Sequence, residues 1–272
     1  MADDFAIMSF MLPRKLPPRL AQILANASWQ QDVSGDSGAK TFRLFQSGET
    51  LFLKTSGPAH IPLLQAEAEK IEWLTSHLPV AQLRYFETTA EGAFLLMTAI
   101  PGVNITYFNH QSDEAKKRAI SILVEGLHQL HGLPVTTTCP FNNTLSVQLE
   151  RAQQRLTLGL VDDTNFDKER LGQQTADLFN ELIATRPDKE NIVFTHGDYC
   201  LPNIIVADDR LSGFIDLGRA GLADRYQDLA LCTRSLTRNF GPGWEELFWH
   251  QYALIQPDAA KLAYYRLLDE FF

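Results

Sequence analysis

Alternating apolar and polar positions predict a β-hairpin within the first quarter of the chain. Two such runs cover residues 41–45 and 51–54, and the polar stretch 47–50 between them contains a Gly. A period of two is typical of a half-buried strand, and a short Gly-containing connection is typical of a hairpin. The apolar run 94–97 predicts a further buried strand, which the Pro-Gly pair at 101–102 follows as a breaker.

Helical spacing becomes the dominant pattern in the remainder of the chain. Apolar residues recur every three or four positions, as on the buried face of a helix, in several stretches. These are residues 65–77, 113–131, 146–158 and 168–185. We therefore expect an α+β fold with a small β-rich N-terminal lobe, residues 1–99, and a larger, mostly helical C-terminal lobe, residues 100–272.

The charge balance argues against nucleic acid as a partner. The 272-residue chain carries 33 acidic against 24 basic residues, a formal charge of −9, whereas binding to phosphate backbones needs clustered Lys and Arg. A cationic small molecule fits this balance better. The three cysteines, Cys139, Cys200 and Cys232, follow no zinc or disulfide pattern and indicate a reducing compartment.

Targeting and membrane signals are weak in this sequence. The apolar stretch 5–12 lacks a basic flank and a full-length hydrophobic core, so it does not resemble a signal peptide. No segment approaches the roughly 18 consecutive apolar residues that a bilayer-spanning helix needs. We expect a cytoplasmic protein that binds neither membranes nor nucleic acid and that needs no obligate protein partner.

The segments 195–203 and 214–218 contain the most informative polar residues. Phosphoryl transfer from ATP needs a carboxylate that receives the proton of the attacking hydroxyl and oxygen ligands that hold magnesium on the phosphates. A kinase supplies them as H-x-D, an Asn five residues after the Asp, and D-x-G on the next hairpin. The matching residues here are His196, Asp198, Asn203, Asp216 and Gly218.

The same residues could instead have only structural roles, with His196 and Asp198 forming a turn and a helix cap and Asp216 ending a strand. Each residue taken singly is compatible with such a role, but five matching residues in order at kinase spacing favour the catalytic interpretation. Asp228, on the helix predicted to follow, is expected to brace the catalytic loop. Between Asp216 and this helix there is no room for an activation segment ending in A-P-E, which a protein kinase needs to bind a peptide.

Residues 195–198 through 224–230, together with 267–272, resemble the aminoglycoside 3'-phosphotransferases, and the similarity extends over most of the chain. The resemblance implies a bilobal protein-kinase-like fold, ATP bound in the cleft with Mg²⁺, and phosphate transfer to the 3'-hydroxyl of kanamycin- or neomycin-type antibiotics. It also implies that Asp198 is the catalytic base or the residue that orients the hydroxyl, and that Asn203 and Asp216 hold magnesium.

The N-terminal lobe is then expected to bind the nucleotide. The resemblance makes Lys54 the lysine that neutralises the α- and β-phosphates and favours Glu67 over Glu69 as its helix partner. The small residues at 33–38 resemble a short phosphate-binding loop in which the Ser37 hydroxyl contacts phosphate. Taken without that context, a Gly-Ser run is more commonly a solvated turn.

Two further features of this lobe point to the adenine ring. Phe52 lies two residues before Lys54, so both face the same side of the strand, and its ring is placed either over the adenine or in the core. Residues Met97 to Ala99 precede the Pro-Gly break and are expected to form the hinge whose backbone reads the adenine edge.

An aminoglycoside carries several ammonium groups, so its pocket needs carboxylates. We expect them in a loop between helices and at the C-terminus. The candidate residues are Asp162, Asp163, Asp167, Asp269 and Glu270, with Phe272 and its terminal carboxylate beside them and Arg219 and Arg234 orienting the acids. A charged C-terminus usually frays, but burial of the aromatic pair at 271–272 would stabilise a docked tail.

Two other functions remain open from the residues. The His-Gly-Asp and Asp-Leu-Gly segments also suit a small-molecule kinase of the same fold that acts on choline or a ketosamine, and the C-terminal residues are what separates that interpretation from an aminoglycoside kinase. A non-catalytic binding module is the third candidate, against which the complete catalytic set argues.

Overall fold

The computed structural model describes residues 16–32, 39–134 and 139–272. Contacts between Cα atoms divide the chain into two compact units. The first comprises the chain up to Thr75 together with Ala81–Ala99, and the second comprises Ser76–Val80 together with Ile100–Phe272. Within the described ranges, no helix is both long enough and apolar enough to cross a membrane.

An antiparallel sheet dominates the first unit, with five strands in the described residues ordered β1-β2-β3-β5-β4. Its strands are β1 (Ser28–Asp32), β2 (Ala39–Gln46), β3 (Glu49–Ser56), β4 (Leu83–Thr89) and β5 (Gly92–Thr98), and its helices are α1 (Pro18–Ile23) and α2 (Ile61–Leu74). The predicted hairpin is the β2–β3 pair. Its turn residues Ser47 and Gly48 have φ values of 52° and 81°, as a tight turn between right-handed twisted strands requires.

Strand β3 presents two different faces because its side chains alternate. Leu51 and Leu53 point into a core that includes Leu20 of α1. Phe52 and Lys54 point to the opposite face, where α2 packs against the sheet. This alternation separates the residues that stabilise the sheet from those available for binding.

The second unit is mostly helical. Its helices are α3 (Asp113–His131), α4 (Leu145–Thr157), α5 (Thr175–Ala184), α6 (Tyr226–Phe240), α7 (Glu245–Tyr252) and α8 (Ala259–Asp269). Its strands are β6 (Val103–Asn104), β7 (Ile192–Thr195), β8 (Ile204–Ala207), β9 (Arg210–Phe214) and β10 (Gly221–Asp224). Strand β7 pairs with β10, and the hairpin β8–β9 carries β6 at its edge. A β-rich unit followed by a helical one confirms the predicted α+β class.

Helix α3 lies at the centre of the second unit and has the predicted bounds. Ser112 caps its N-terminus by accepting the Ala115 N–H at 3.4 Å, and Asp113 with Glu114 complements the positive end of its dipole. Its middle turns are buried and contact β7 and β9. The helix ends at His131, which this packing brings beneath the loop that follows β7.

The predicted helix at 168–185 is wrong over its first seven residues, since α5 begins at Thr175. The N–H of Leu171 closes a turn on the carbonyl of Asp167 at 3.1 Å, and Gly172 then adopts a φ of 82°. A left-handed residue cannot continue a right-handed helix. The apolar spacing across residues 168–174 therefore belongs to a loop.

Candidate active site

The loop after β7 holds Asp198 within a tight hydrogen-bonded turn. The side-chain N–H₂ group of Asn203 donates to both the backbone oxygen and the Oδ2 atom of Asp198, each at 3.0 Å. Asn203 is buried, whereas Asp198 is partly exposed. Gly197 has a φ of 84°, and a Cβ atom there would lie 2.1 Å from the carbonyl oxygen of Arg219. Glycine is thus needed at this position for both conformation and space.

His196 joins this loop to the strand that leads to Asp216. Its Nε2 atom lies 2.9 Å from the carbonyl oxygen of Ile215, and its Nδ1 atom lies 3.3 Å from the N–H of Asp198. A carbonyl can only accept and an amide N–H can only donate, so Nε2 carries the hydrogen and Nδ1 accepts. The ring is fully buried. His196 therefore orients the backbone on either side of the site and is not exposed to a substrate.

Asn203 and Asp216 lie at the same end of the β8–β9 hairpin. The N–H of Ile215 donates to the carbonyl oxygen of Asn203 at 3.0 Å, which extends the strand pairing up to the residue before Asp216. Asp216 itself adopts the left-handed conformation, with φ 58° and ψ 50°. Such a conformation in a non-glycine residue is concentrated at functional sites, where the surrounding structure enforces it.

The donor chemistry of Asn203 and Asp216 suits magnesium. Amide and carboxylate oxygens are hard ligands of the type that Mg²⁺ prefers, and it commonly takes one or two protein oxygens together with phosphate oxygens. In the part of the chain that the structure describes, no group of three or more His, Cys, Asp or Glu side chains could form an all-protein cage. The two residues thus fit a metal that is shared with a phosphate-bearing substrate.

Asp228 of α6 supports the loop after β7 through its carboxylate, which is fully buried. Its Oδ2 atom accepts the N–H of His196 at 2.8 Å, and its Oδ1 atom accepts the N–H of Gly197 at 2.9 Å. The neighbouring Gln227 donates from Nε2 to the carbonyl oxygen of Gly197 at 2.9 Å. Consecutive residues of one helix therefore hold both sides of the same peptide segment.

In the first unit, Lys54 and Glu67 form a largely buried ion pair. The Nζ atom of Lys54 lies 2.6 Å from Oε1 of Glu67, with 12% and 9% of the two side chains exposed. Glu69, the other glutamate considered from the sequence, is exposed and accepts a hydrogen bond from Gln65 at 2.9 Å. The structure thus brings Lys54 together with Glu67 and not with Glu69.

Phe52 and Met97 are cross-strand neighbours on the face of the sheet that bears Lys54. Phe52 is only partly buried and stands outside the leucine-rich core on the other face. Ala99 closes the edge of the sheet by donating its N–H to the carbonyl oxygen of Thr50 at 3.0 Å. Ser37 and the rest of the predicted phosphate-binding loop, residues 33–38, lie outside the described residues.

Near the C-terminus, Asp269 is clamped between two arginines. Arg219 Nη1 donates to its Oδ1 atom at 2.7 Å, and Arg234 donates to its Oδ2 atom. Burial opposes ionisation, but the two guanidinium groups hold the pKa of Asp269 below its usual value. Burial likewise lowers the pKa of Arg219, and the carboxylates of Asp269 and Asp198 reverse that effect and raise it overall. The arginine clamp on Asp269 therefore interacts electrostatically with Asp198 in the loop after β7.

Asp167 is the second acidic centre of this region and is also bound by arginines. It contacts Arg234 Nη1 at 3.2 Å, Arg170 Nη1 at 3.8 Å, and the guanidinium of Arg238. Arg234 therefore bridges Asp167 to Asp269. These contacts make Asp167 a structural anchor of the 158–174 loop, in addition to any contact with a ligand.

Glu270 differs electrostatically from Asp269. It accepts the backbone N–H of Asp167 at 3.1 Å and a hydrogen bond from Arg170 at 3.3 Å. Burial and the nearby Asp167 carboxylate raise the pKa of Glu270 to about 6. Its charge is thus less compensated than that of Asp269, which leaves it better suited to attract an external cation.

Two predicted acids lie apart from this network. Asp162 and Asp163 are exposed, and the Oδ1 atom of Asp162 accepts the N–H of Thr164 at 3.1 Å as a local cap. No ion pair joins either of them to the arginines among the residues that the structure describes.

The two aromatic residues at the C-terminus differ in burial. Phe271 is fully buried and packs edge-on against Phe179, with ring centroids 5.7 Å apart. Phe272 remains 38% exposed, with the Arg219 guanidinium 5.1 Å from its ring centroid. The expectation that both rings are buried is wrong for Phe272. One buried ring, together with a hydrogen bond of 2.6 Å from Arg155 to the Phe271 carbonyl oxygen, docks the tail.

Comparison with known proteins places this arrangement in a family. The profile of a phosphotransferase enzyme family matches residues 29–265. An aminoglycoside 3'-phosphotransferase of Escherichia coli is 35% identical over 260 residues, which cover 95% of both chains. The chain belongs to the aminoglycoside 3'-phosphotransferases. It is accordingly a kinase-type transferase.

Solved structures of aminoglycoside phosphotransferases share its kinase-like fold. The crystal structure of a type VIII aminoglycoside 3'-phosphotransferase has 33% sequence identity and a TM-score of 0.81, covering 90% of this chain and 94% of that one. An aminoglycoside phosphotransferase from Streptomyces rimosus, solved with ADP and streptomycin, has 26% identity and a TM-score of 0.78 over 93% and 97% of the two chains. The kinase-like fold predicted from the sequence is confirmed.

Two arginines of this phosphotransferase, Arg170 and Arg238, form ion pairs with Asp167 that were not predicted from the sequence. Arg170 follows Asp167 by three residues, a spacing at which charged side chains meet within one turn. Arg238 follows Arg234 by four residues on α6, so both present their guanidinium groups to the same side. The spacing was visible in the sequence, but nothing there showed that α6 faces the loop that contains Asp167.

Proposed function

We propose that this phosphotransferase moves the γ-phosphoryl group of ATP to the 3'-hydroxyl of aminoglycoside antibiotics and thereby confers resistance to them. Two observations support this proposal: the chain belongs to the aminoglycoside 3'-phosphotransferases, and hydrogen bonds hold Asp198 in a fixed orientation. Asn203 orients the Asp198 carboxylate through a hydrogen bond of 3.0 Å and belongs, with Asp216, to one end of a hairpin. These are the parts that phosphoryl transfer requires.

Asp198 is proposed to orient the acceptor hydroxyl and to receive its proton. The hydroxyl oxygen forms a bond to the γ-phosphorus while the bond from that phosphorus to the β–γ bridging oxygen breaks, and ADP leaves. The proton passes to the Asp198 carboxylate and then to solvent. The hydrogen bond from Asn203 to Oδ2 restrains rotation of the carboxylate, and the one to the backbone oxygen of Asp198 holds the turn, so the group is oriented before substrate arrives.

In the first unit, Lys54 with its partner Glu67 is proposed to contact the triphosphate. In the second unit, Asn203 and Asp216 are proposed to hold the metal. Bound Mg²⁺ would neutralise the charge that develops on the phosphate oxygens. Glu67 fixes the ammonium group of Lys54 at 2.6 Å, so that this cation is positioned for the α- and β-phosphates. Phe52 and Met97, which share the Lys54 face of the sheet, together with the backbone at Ala99, form the proposed adenine contacts.

The acceptor is proposed to bind beside the C-terminus, where carboxylates are held at fixed positions. Asp269 and Glu270 are ordered by arginines, and the docking of Phe271 prevents the tail from fraying. Charge-assisted hydrogen bonds from drug ammonium groups would supply affinity, and their fixed spacing would supply selectivity. The exposed Asp162, Asp163 and Phe272, and Ser37 in the undescribed loop, remain proposed ligand contacts.

A coupled ADP-release assay with matched acceptors tests this function. The enzyme should turn over a kanamycin- or neomycin-type drug and should be inactive on its 3'-deoxy analogue, which differs only in the proposed acceptor atom. Product mass should rise by one phosphoryl group. Equal turnover of the 3'-deoxy compound would show that another hydroxyl is the acceptor.

The same assay distinguishes the other candidates. Turnover of choline or a ketosamine, with none of any aminoglycoside, would identify a small-molecule kinase with a different substrate. Absence of phosphate transfer to every acceptor, with retained nucleotide binding, would identify a binding module. The C-terminal carboxylates favour the aminoglycoside, because they offer several negative charges to a polycation.

A further inference from the structure

Helix α3 ends on a histidine that contacts the brace of the catalytic loop. The Nε2 atom of His131 lies 3.2 Å from Oδ2 of Asp228, the same oxygen that accepts the N–H of His196 at 2.8 Å. On its other side, Nδ1 of His131 lies 2.8 Å from the hydroxyl oxygen of Tyr252. His131 thus connects α7 to the buried carboxylate that holds the loop.

The donor and the acceptor in each hydrogen bond of this Tyr252–His131–Asp228 series follow from the protonation states of the three groups. Asp228 accepts two backbone N–H groups and is fully buried, so it acts as an acceptor toward His131 as well, and Nε2 carries the hydrogen. Burial raises the pKa of Tyr252 to about 12, so its hydroxyl keeps its proton and donates to Nδ1. Tyr252 therefore donates to His131, and His131 donates to Asp228.

We propose that His131 is a positioning residue for phosphoryl transfer, which sets the orientation of the Asp228 carboxylate and, through it, the backbone that carries Asp198. A buried carboxylate needs its donors. Without the His131 N–H, Oδ2 of Asp228 would keep only the donor from His196, and the carboxylate would be able to rotate. Rotation alters the two hydrogen bonds to residues 196 and 197, which immediately precede Asp198.

A second contact shows that α3 supports this loop at more than one point. The hydroxyl of Tyr199 donates to the carbonyl oxygen of Leu123 in α3 at 2.7 Å, so the residue after Asp198 is also held by this helix. The loop is thus fastened to α3 on both sides of Asp198, directly through Tyr199 and indirectly through His131 and Asp228. Displacement at either fastening point moves the carboxylate that meets the substrate.

Three substitutions separate the role of each ring nitrogen. His131→Gln places an N–H₂ group near the Nε2 position and can still donate to Asp228, whereas His131→Asn reaches only the Nδ1 position, toward Tyr252. His131→Ala removes both contacts. We expect kcat for drug phosphorylation to fall about 10- to 100-fold in the Ala and Asn variants, with little change in either KM, and to be largely retained in the Gln variant.

His128→Ala is the matched control. His128 lies on the same helix, stacks on Tyr252 with ring centroids 5.2 Å apart, and lines the same cavity of about 230 Å³ as His131. Among the described residues no hydrogen bond joins it to Asp228. Its loss should therefore leave kcat close to that of the unaltered enzyme. Because the cavity reaches His131, added imidazole should restore part of the activity of His131→Ala and none of that of an Asp198→Asn variant.

The result that would overturn the inference is an unchanged kcat in His131→Ala, or equal losses in the Gln and Asn variants. Equal falls of kcat and melting temperature in all variants, His128→Ala included, would likewise reduce His131 to a packing residue. If His131→Ala does not fold, the comparison of Gln with Asn decides alone. The inference rests on the proposed function, but the two fail differently, since an unaltered enzyme that phosphorylates no aminoglycoside contradicts only the proposed function.

Discussion

The side-chain amide of Asn203 donates to the carboxylate of Asp198 over 3.0 Å. Because an amide can donate through nitrogen and coordinate through oxygen, this contact gives Asn203 two proposed tasks. It orients the carboxylate that is proposed to meet the acceptor hydroxyl, and its side-chain oxygen is proposed to coordinate the metal together with Asp216. The base and the metal site thus depend on one rotamer.

Asp198→Asn should lower kcat by about 10²- to 10⁴-fold, because it removes the group that is proposed to receive the proton while preserving the shape of the loop. Nucleotide affinity, measured by titration calorimetry, should change little, since the proposed nucleotide contacts are elsewhere. A variant with unchanged kcat would show that a different group accepts the proton.

Asp216→Asn should mainly weaken the metal-dependent binding of the nucleotide. The substitution replaces a charged metal ligand by a neutral one, so the Mg²⁺ concentration needed for half-maximal activity should rise at least about 10-fold. Asp209→Asn, the same change at the exposed turn of the same hairpin, is the control and should behave as the unaltered enzyme. Equal metal dependence in the two variants would contradict the assignment.

Lys54→Met should destabilise the first unit as well as raise KM for ATP. Loss of the lysine leaves Glu67 as an uncompensated, largely buried carboxylate, which costs about 3–5 kcal/mol in comparable pairs. The double variant with Glu67→Gln should recover much of the unfolding free energy, measured by urea denaturation, but not the affinity for ATP. Recovery of both would show that Lys54 has only a structural role.

The raised pKa of Glu270, about 6 against an ordinary 4.5, predicts opposite effects of pH on stability and on drug binding. The folded protein holds this proton more tightly than the unfolded chain, so the contribution of the group to stability is fully present below pH 4.5 and is lost as pH rises through 6. Drug affinity should instead increase over the same interval, because only the ionised carboxylate attracts ammonium groups.

Binding titrations from pH 5 to 7, made with Glu270→Gln in parallel, measure this effect. The component near pH 6 should be absent in the variant, which cannot ionise at this position. Affinity should also fall with added salt in the unaltered enzyme, because the proposed charge pairs are partly open to water. A pH profile identical in the two proteins would assign the titration to another group.

The two terminal phenylalanines offer a matched pair for separating docking from binding. Phe271→Ala should lower the unfolding free energy by about 3–5 kcal/mol, because it empties a fully buried site against Phe179. Phe272→Ala should change stability by less than about 1 kcal/mol, since its ring is partly exposed. Both should weaken drug binding, the first by releasing the tail that carries Asp269 and Glu270. Comparable melting temperatures in the two variants would contradict the docking of Phe271.

The spacing of residues was enough to predict the loop after β7 and the hairpin that follows it, because their residues lie within one short segment. His196, Asp198, Asn203 and Asp216 are brought together by a turn and a two-stranded hairpin, and local spacing expresses both. Helix α3 was likewise predicted with its bounds, since its apolar spacing is a local signal.

Local patterns did not show which acids are held by arginines, because these contacts join residues that are far apart in the chain. Arg234 lies 67 residues from Asp167 and 35 from Asp269, and Arg170 lies 100 from Glu270. These groups meet because α6, α8 and the 158–174 loop pack against one another, and no local pattern encodes that packing. The contact of His131 with Asp228, 97 residues apart, arises in the same way. Hydrogen bonds between distant residues depend on how the helices pack. The local pattern of apolar residues specifies each helix but not the packing of one helix against another.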